Sequence, residues 1–223
     1  MRRLSGMPGR DCPRCPRLVA FRQSWRQSEP DWFNAPVDSF GPSDARLLIV
    51  GLAPGLRGAN RTGRPFTGDY AGDLLYATLA QFGFAHGHYA ASPDDGLELL
   101  DCRITNAVRC VPPDNKPTPQ EITTCRDFLK AAIAEMSNLR AVVALGRIAH
   151  ESFVQASGAS RSQFPFAHGR THVFAAHTLL DSYHCSRYNT NTGVLTPQMF
   201  RDVIAAARKL IDAPLQSALP ATP

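Results

Sequence analysis

The stretch LLIVGLAPGLRGANRTGRPFTGDYAGDLL, residues 47–75, opens on four apolar residues, Leu47, Leu48, Ile49 and Val50, that end at Gly51. A long loop rich in Gly and small residues follows, and helical apolar spacing resumes near Ala71. This is the pattern of a buried strand that feeds a helix through a functional loop. Gly51, Gly55, Gly58, Gly63 and Gly68 allow close backbone approach, and Arg57, Arg61 and Arg64 bring cationic forks suited to phosphate. Phe66 and Asp69 add an aromatic plate and a carboxylate, so the loop reads as a pocket for a flat ring beside a polyanion. The plain alternative is a long surface Ω-loop. The glycines fit neither the G-x-x-x-x-G-K-[ST] nor the G-x-G-x-x-G spacing, which removes the main support for triphosphate and dinucleotide binding.

Working outward, a strand over 45–50 precedes the loop and a helix over 71–82, stopped at Gly83, follows it. A second strand is centred on 102–107, and Thr118-Pro119-Gln120-Glu121 starts a helix that runs to about Met136. Ala141 to Leu145 is a third buried strand followed by a helix to Ala156; a strand at 172–175 and another short run at 178–183 precede a last helix from about Thr196 to Ile211. Residues 86–96 read as surface loop. Near the N-terminus a helix covers 18–27. Strands alternating with helices predict a three-layer α/β/α sandwich around a central, mostly parallel, four-stranded sheet. Ligands of such sheets bind outside the carboxyl ends of the strands, which draws the loops 51–69, 106–116 and 184–193 around one site.

The 223 residues suit one domain, placed at 12–212 between flexible ends at 1–11 and 213–223. The 24 basic and 19 acidic residues give a formal charge of +5, a sign that agrees with a polyanionic partner. No apolar run reaches membrane-spanning length and the N-terminus lacks a signal-peptide core, so a cytoplasmic, intracellular protein without a membrane partner is expected. In a reducing compartment the six cysteines are thiols or metal ligands. Cys12-x-x-Cys15 with Cys110 and Cys125 suits a structural zinc or a four-iron cluster, and spacing does not choose between them; two unrelated pairs of buried thiols are the plain alternative. Cys102 reads as a core residue.

Together, Cys12-x-x-Cys15, Gly51-Leu-Ala-Pro-Gly55, Gly63-Arg-Pro-Phe-Thr-Gly-Asp69, Thr105-Asn-Ala-Val-Arg-Cys110, the Pro112–Pro117 loop, Cys125 and His184-x-Ser-x-x-Asn189 stand in the order seen in iron–sulfur uracil-DNA glycosylases. The insert Gly58-Ala-Asn-Arg-Thr-Gly63 and the Gly68-Asp69 pair resemble family 5, the type b enzymes, over residues 12–210. The resemblance implies the uracil-DNA glycosylase fold, DNA carrying uracil or other deaminated bases as substrate, work at the nucleoid, and no need for more than a monomer. It implies a [4Fe-4S] cluster on Cys12, Cys15, Cys110 and Cys125, and a base pocket of Gly51, Leu52, Ala53, Phe66, Asn106 and His184. Phe66 would stack on the flipped base, Asn106 would bond its edge, and His184 would donate to the departing base. Asp69 would act beside the sugar, since Leu52 and Ala53 stand where other glycosylases carry a polar group. Arg57, Arg61, Arg64, Ser186 and Arg187 would meet the DNA backbone. Each has a plain counterpart: Phe66 a core anchor, Asn106 a strand-end cap, His184 a structural histidine, Asp69 a helix cap. Cys185 replaces the family's proline after the histidine, which frees that loop and brings a thiol near the site. Other readings are a relative that traps the abasic sugar on a loop histidine, for which no histidine lies between Gly55 and Gly63, an iron–sulfur nucleic-acid-binding protein without base release, and a zinc nucleotide hydrolase.

Overall fold

The computed structural model describes residues 7–214. Its strands are β1 (Leu47–Gly51), β2 (Ala85–His86), β3 (Glu98–Leu99), β4 (Cys102–Asn106), β5 (Ala141–Leu145), β6 (Thr171–Val173) and β7 (Thr178–Ser182). Its helices are α1 (Pro16–Ser28), α2 (Ala59–Thr62), α3 (Tyr70–Gln81), α4 (Pro119–Glu135), α5 (Arg147–Ala156), α6 (Arg187–Asn191) and α7 (Pro197–Asp212). The main sheet has the order β4-β1-β5-β7-β6. Its first four strands run parallel, and the short β6 pairs antiparallel on β7, so a fifth edge strand joins the four expected from sequence.

Alternation along the strands builds the three layers. Leu47, Ile49, Ile104 and Val143 point to one face, where they meet Leu75 and Leu79 of α3 and Phe200, Ile204 and Ala207 of α7. Leu48, Val50, Val142 and Ala144 point to the other, against Leu129 of α4 and Phe153 of α5. A strand buried on both faces has no polar alternation, which is why β1 and β5 read as plain apolar runs. The helix starts follow their sequence signals. Thr118 and Glu121 form a capping box at α4, and Thr196 accepts the Met199 amide at α7.

The differences are local. Residues 85–99, expected as loop at 86–96, carry the two-stranded ribbon β2–β3. Two helices of four and five residues, α2 and α6, form inside expected loops, too short for apolar periodicity to reveal them. Of the N-terminal stretch expected to be flexible, residues 1–6 lie outside the described residues, whereas Arg26 holds Asp11 by an ion pair and the Arg10 carbonyl by a hydrogen bond. Of the tail, 215–223 lie outside as well. Among the described residues no helix is long and apolar enough to cross a membrane.

Candidate functional site

The loops leaving the carboxyl ends of β1, β4 and β7 meet in one cleft of about 650 Å³. Leu52, Ala53, Arg57, Phe66, Asp69, Asn106, His184, Ser186 and Arg187 all face it, together with Tyr70 and Asn115, which sequence reading passed over. Gly51 is not on its wall. It lies beneath, where a Cβ would collide with the Asn106 side-chain oxygen and sit 2.6 Å from the Phe66 ring. Glycine here lets the aromatic plate and the amide close over the strand end.

Phe66 is both anchor and wall, since it joins the core cluster and still faces the cleft. Its φ of 53° places a bulky residue in the left-handed region, a strain of roughly 1–3 kcal/mol that persists only where the surroundings fix it. They do: Tyr89 donates to the Phe66 carbonyl at 3.2 Å, and α3 presses Gly72 against the same carbonyl so closely that a Cβ would collide with it. The side-chain oxygen of Asn106 is buried without a hydrogen-bond partner. A buried orphan of this kind costs about 1–3 kcal/mol, and an acceptor left open at a pocket wall marks a place built for a ligand.

Asp69 stands at the N-cap position of α3 in extended conformation (φ −128°, ψ 162°), but its carboxylate makes no side-chain cap hydrogen bond. Its Oδ1 is buried and unpartnered. Gly55 and Gly58 floor the carboxylate: a Cβ on Gly55 would stand 3.0 Å from Oδ2, and one on Gly58 would collide with it. Burial pushes its pKa up, while the amides of Gly72 and Ala71 at the helix start pull it down without cancelling the rise. The half-buried His184 ring lines the same cleft, and desolvation lowers its pKa to about 4, so the imidazole is neutral near pH 7.

The arginines divide. Arg57 and Arg187 are exposed at the rim, Arg187 over the Tyr70 ring at 5.1 Å. Ser186 faces the cleft and caps α6 by accepting the Asn189 amide at 3.3 Å. Arg61 is exposed but faces a neighbouring cleft. Arg64 corrects the expectation of a phosphate contact. It is buried, pairs bidentately with Asp95 at 2.8 Å for both bonds, and lies among Phe40, Tyr76 and Tyr89. Every direction a phosphate could come from is taken, because the β2–β3 excursion carries Asp95 over it.

Cys185 brings a thiol near the site, as expected, but does not free the loop. It is fully buried and donates to the carbonyl of Ala71, a residue of the cleft, at 3.5 Å, which fastens the His184 loop to the start of α3. Sequence reading gave no sign of a buried group behind that loop. Asp181 of β7 lies 2.6 Å from His150 and 3.0 Å from His172, and the other His150 nitrogen meets the Phe164 carbonyl at 2.7 Å. Burial works against charge on His150, but the Asp181 carboxylate overrides it and the net shift is upward.

On the far side of the β4 loop, Cys12, Cys15, Cys110 and Cys125 line one enclosed pocket with Leu18 and Phe128. Arg17 grips Glu121 at 2.7 and 2.8 Å and Arg14 grips Asp127 at 3.0 Å, which clamps the Cys-x-x-Cys turn to α4. Arg22, buried, reaches the Cys110 sulfur at 3.4 Å, and the Arg109 amide donates to the Cys125 sulfur at 3.3 Å. Burial raises the thiol pKa values, to about 12 at Cys110 and about 11 at Cys125, so a metal's charge is needed to make them thiolates. Four thiolates on one zinc would stand about 3.8 Å apart, from Zn–S bonds near 2.3 Å. Among the described residues the only group of three His, Cys, Asp or Glu ligand atoms within 4.8 Å of one another is His150, His172 and Asp181, so no three of the thiols stand at that spacing.

A twisted α/β/α sandwich with a ring-sized cleft at its strand ends defines a class, that of the uracil DNA glycosylase superfamily, whose sequence profile matches residues 38–208. The chain is 44% identical over 206 residues to the type-5 uracil-DNA glycosylase of Thermus thermophilus, covering 89% of this chain and 93% of that protein. It is 39% identical to the type-5 enzyme of Pyrobaculum aerophilum, covering 88% of each. The type-4 enzyme of Thermotoga maritima matches over only 115 residues, 51% of this chain. The chain belongs to the type-5 branch of the uracil-DNA glycosylase superfamily.

Proposed function

We propose that this chain removes uracil from DNA by hydrolysis of its N-glycosidic bond, leaving an abasic site for base excision repair. The observation that carries the reading is the pair of buried, unpartnered oxygens, one on Asn106 and one on Asp69, in a single cleft that Phe66 and His184 also line. A base can reach them only out of the stack. Its ring lies on Phe66, and the Asn106 amide, which both donates and accepts, reads its edge. As the bond between the sugar C1′ and the base nitrogen breaks, its electron pair moves to the base and positive charge grows on the sugar. Neutral His184 donates an N–H to the base oxygen that gathers this charge; ionised Asp69 faces the sugar and accepts a proton from the water that adds at C1′. Arg57, Ser186 and Arg187 at the rim meet the backbone phosphates.

The four thiols that line one pocket, with no three of them within 4.8 Å of one another, support a [4Fe-4S] cluster on Cys12, Cys15, Cys110 and Cys125. Bound there, the cluster supplies a covalent tie between the N-terminal segment, the β4 loop and α4. The apolar Leu52–Ala53 wall supports acceptance of hypoxanthine and other deaminated bases beside uracil. One chain supplies every wall of the cleft, in keeping with a monomer working on DNA at the nucleoid. The test is base release from duplexes bearing one uracil or one hypoxanthine, scored as alkali-sensitive sites, with Asp69→Asn and His184→Ala beside the cluster-loaded parent. Release that collapses in both variants at unchanged DNA binding supports the reading. No release by the parent leaves an iron–sulfur DNA-binding protein instead.

A further inference from the structure

A second cleft, of about 730 Å³, lies beside the first and shares Arg57 with it. Its back wall is the half-buried Trp32, whose indole stacks on that of Trp25 with centroids 5.5 Å apart and planes 2° apart. Such a doubled plate is stiff. The Arg61 guanidinium lies over the Trp32 ring, 5.9 Å from its centroid, a cation–π contact that a stacking base would replace, turning the exposed side chain toward that nucleotide's phosphate. Opposite charges meet here without pairing: Glu29, Asp31, Arg57 and Arg61 all line the cleft, and none makes an ion pair with another described residue. The plate is also fixed to the base-pocket loop. The Phe33 amide donates to the Arg61 carbonyl and the Asn34 amide to the Asn60 carbonyl, both at 3.0 Å, and the two asparagine side chains bond at 2.8 Å. Whatever stacks on Trp32 is therefore held at a set offset from a ring on Phe66.

We infer that the second cleft binds the nucleotide next to the flipped one on the same strand, its base stacked on Trp32 and its phosphate held by Arg57 and Arg61. An aromatic plate with cations beside it is how single-stranded nucleic acid is held irrespective of sequence. The carboxylates of Glu29 and Asp31 refuse a row of phosphates but accept hydrogen bonds from amino groups on a base edge, which fits one nucleotide better than a length of backbone. The inference rests on the DNA-glycosylase reading and deepens it: the enzyme unstacks two neighbouring bases, and a damaged base in single-stranded or frayed DNA is the substrate it grips best.

Trp25 and Trp32 are the only tryptophans of the chain, so intrinsic fluorescence reports this cleft directly. The experiment titrates cluster-loaded protein with single-stranded oligonucleotides carrying 2′-fluoro-2′-deoxyuridine, whose glycosidic bond resists hydrolysis. One has both neighbours intact, and two others carry an abasic spacer on the 5′ or the 3′ side. The intact strand should quench the emission. One of the two spacers should abolish most of that quench and weaken binding about tenfold, the scale of one base–aromatic stack. Trp32→Phe should keep the spacer penalty, and Trp32→Ala should erase it. Arg61→Glu, which leaves the plate in place, should weaken binding and flatten its salt dependence. Equal quench and affinity for all three strands, or an undiminished penalty in Trp32→Ala, overturns the inference. Release of uracil from an unmodified strand is scored separately. Its absence beside a clear spacer effect defeats the hydrolytic reading and leaves the cleft standing; its presence without a spacer effect defeats the cleft alone.

Discussion

The Phe66 ring lies against the His184 imidazole, with centroids 6.0 Å and planes 30° apart, so the loop after β1 and the loop after β7 close the cleft as one wall. The contact covers part of the imidazole, and burial is what lowers its pKa. At pH 7 the folded and unfolded chains both carry this histidine neutral. As pH falls below the ordinary value of 6.5 the unfolded chain takes up the proton first, so the contribution of His184 to stability, fully present above 6.5, is lost towards the folded value of about 4. An NMR titration of the ring should show no step between pH 5 and 8. In Phe66→Leu, which keeps an apolar side chain but opens the face of the ring, the midpoint should move up towards 6.5.

The Gly58–Asp69 contact makes a sharper claim on catalysis. Because a Cβ at Gly58 would collide with the Asp69 carboxylate, Gly58→Ala must displace it from its floor without touching its charge. Uracil release should fall about 10- to 100-fold in kcat in Gly58→Ala and about 100- to 1,000-fold in Asp69→Asn, the scale of one misplaced or lost electrostatic contact in a transition state. Since burial raises the Asp69 pKa and the group must be ionised, kcat should fall on the acid side at a pH above the usual carboxylate range. Asp69→Asn should remove that acid limb. Wild-type kcat that stays flat down to pH 4 would take the base role from Asp69.

Much of this arrangement was legible because it depends on local patterns. The β1 and β5 apolar runs, the Thr118 capping box and the loop glycines each state a local physical need, and sequence order alone then brings three loops to one sheet edge. What could not be read depends on distant partners. Nothing near Arg64 announces that Asp95, 31 residues on, will bury it; an arginine among glycines looks free until the partner is known. Cys185 and the His150–Asp181–His172 group were hidden for the same reason, since burial of a thiol or an imidazole is settled by elements far along the chain. Gly51 stands in the motif as if on the pocket wall but serves underneath it, a difference of direction that composition does not carry.

The division between Arg57 and Arg64 separates stability from binding. Arg64 and Asp95 are 6% and 1% exposed, and removing one partner of such a pair costs about 3–5 kcal/mol because the other charge stays buried. Arg64→Ala should therefore lower Tm by about 10 °C. Arg57→Ala should leave Tm unchanged and reduce the slope of log binding constant against log salt by about one, as expected for one phosphate contact. Thermal melts and salt titrations on both variants check the pair. An Arg64→Ala protein with a normal Tm and a reduced slope would return that side chain to the DNA surface.

Arg22 gives the cage its most direct test. Its guanidinium is buried, donates to the Cys12 carbonyl at 3.1 Å and to the Cys110 sulfur at 3.4 Å, and forms no ion pair among the described residues; the exposed Asp11, paired with Arg26, attracts it only at longer range. A buried cation so weakly compensated costs several kcal/mol, and the thiolates of a loaded cluster supply the missing charge where the neutral thiols of the metal-free chain do not. Arg22→Met keeps the apolar stem and removes the charge. In metal-free protein it should leave Tm equal to the parent or higher. In loaded protein it should speed loss of visible absorbance under chelator and lower the reduction potential, since an N–H···S donor and a positive charge both favour the reduced cluster. Iron-to-protein ratio, melting curves and voltammetry of the two forms check the reversal. Equal destabilisation of both forms would mean that Arg22 serves packing alone and that the charge of the cage is balanced elsewhere.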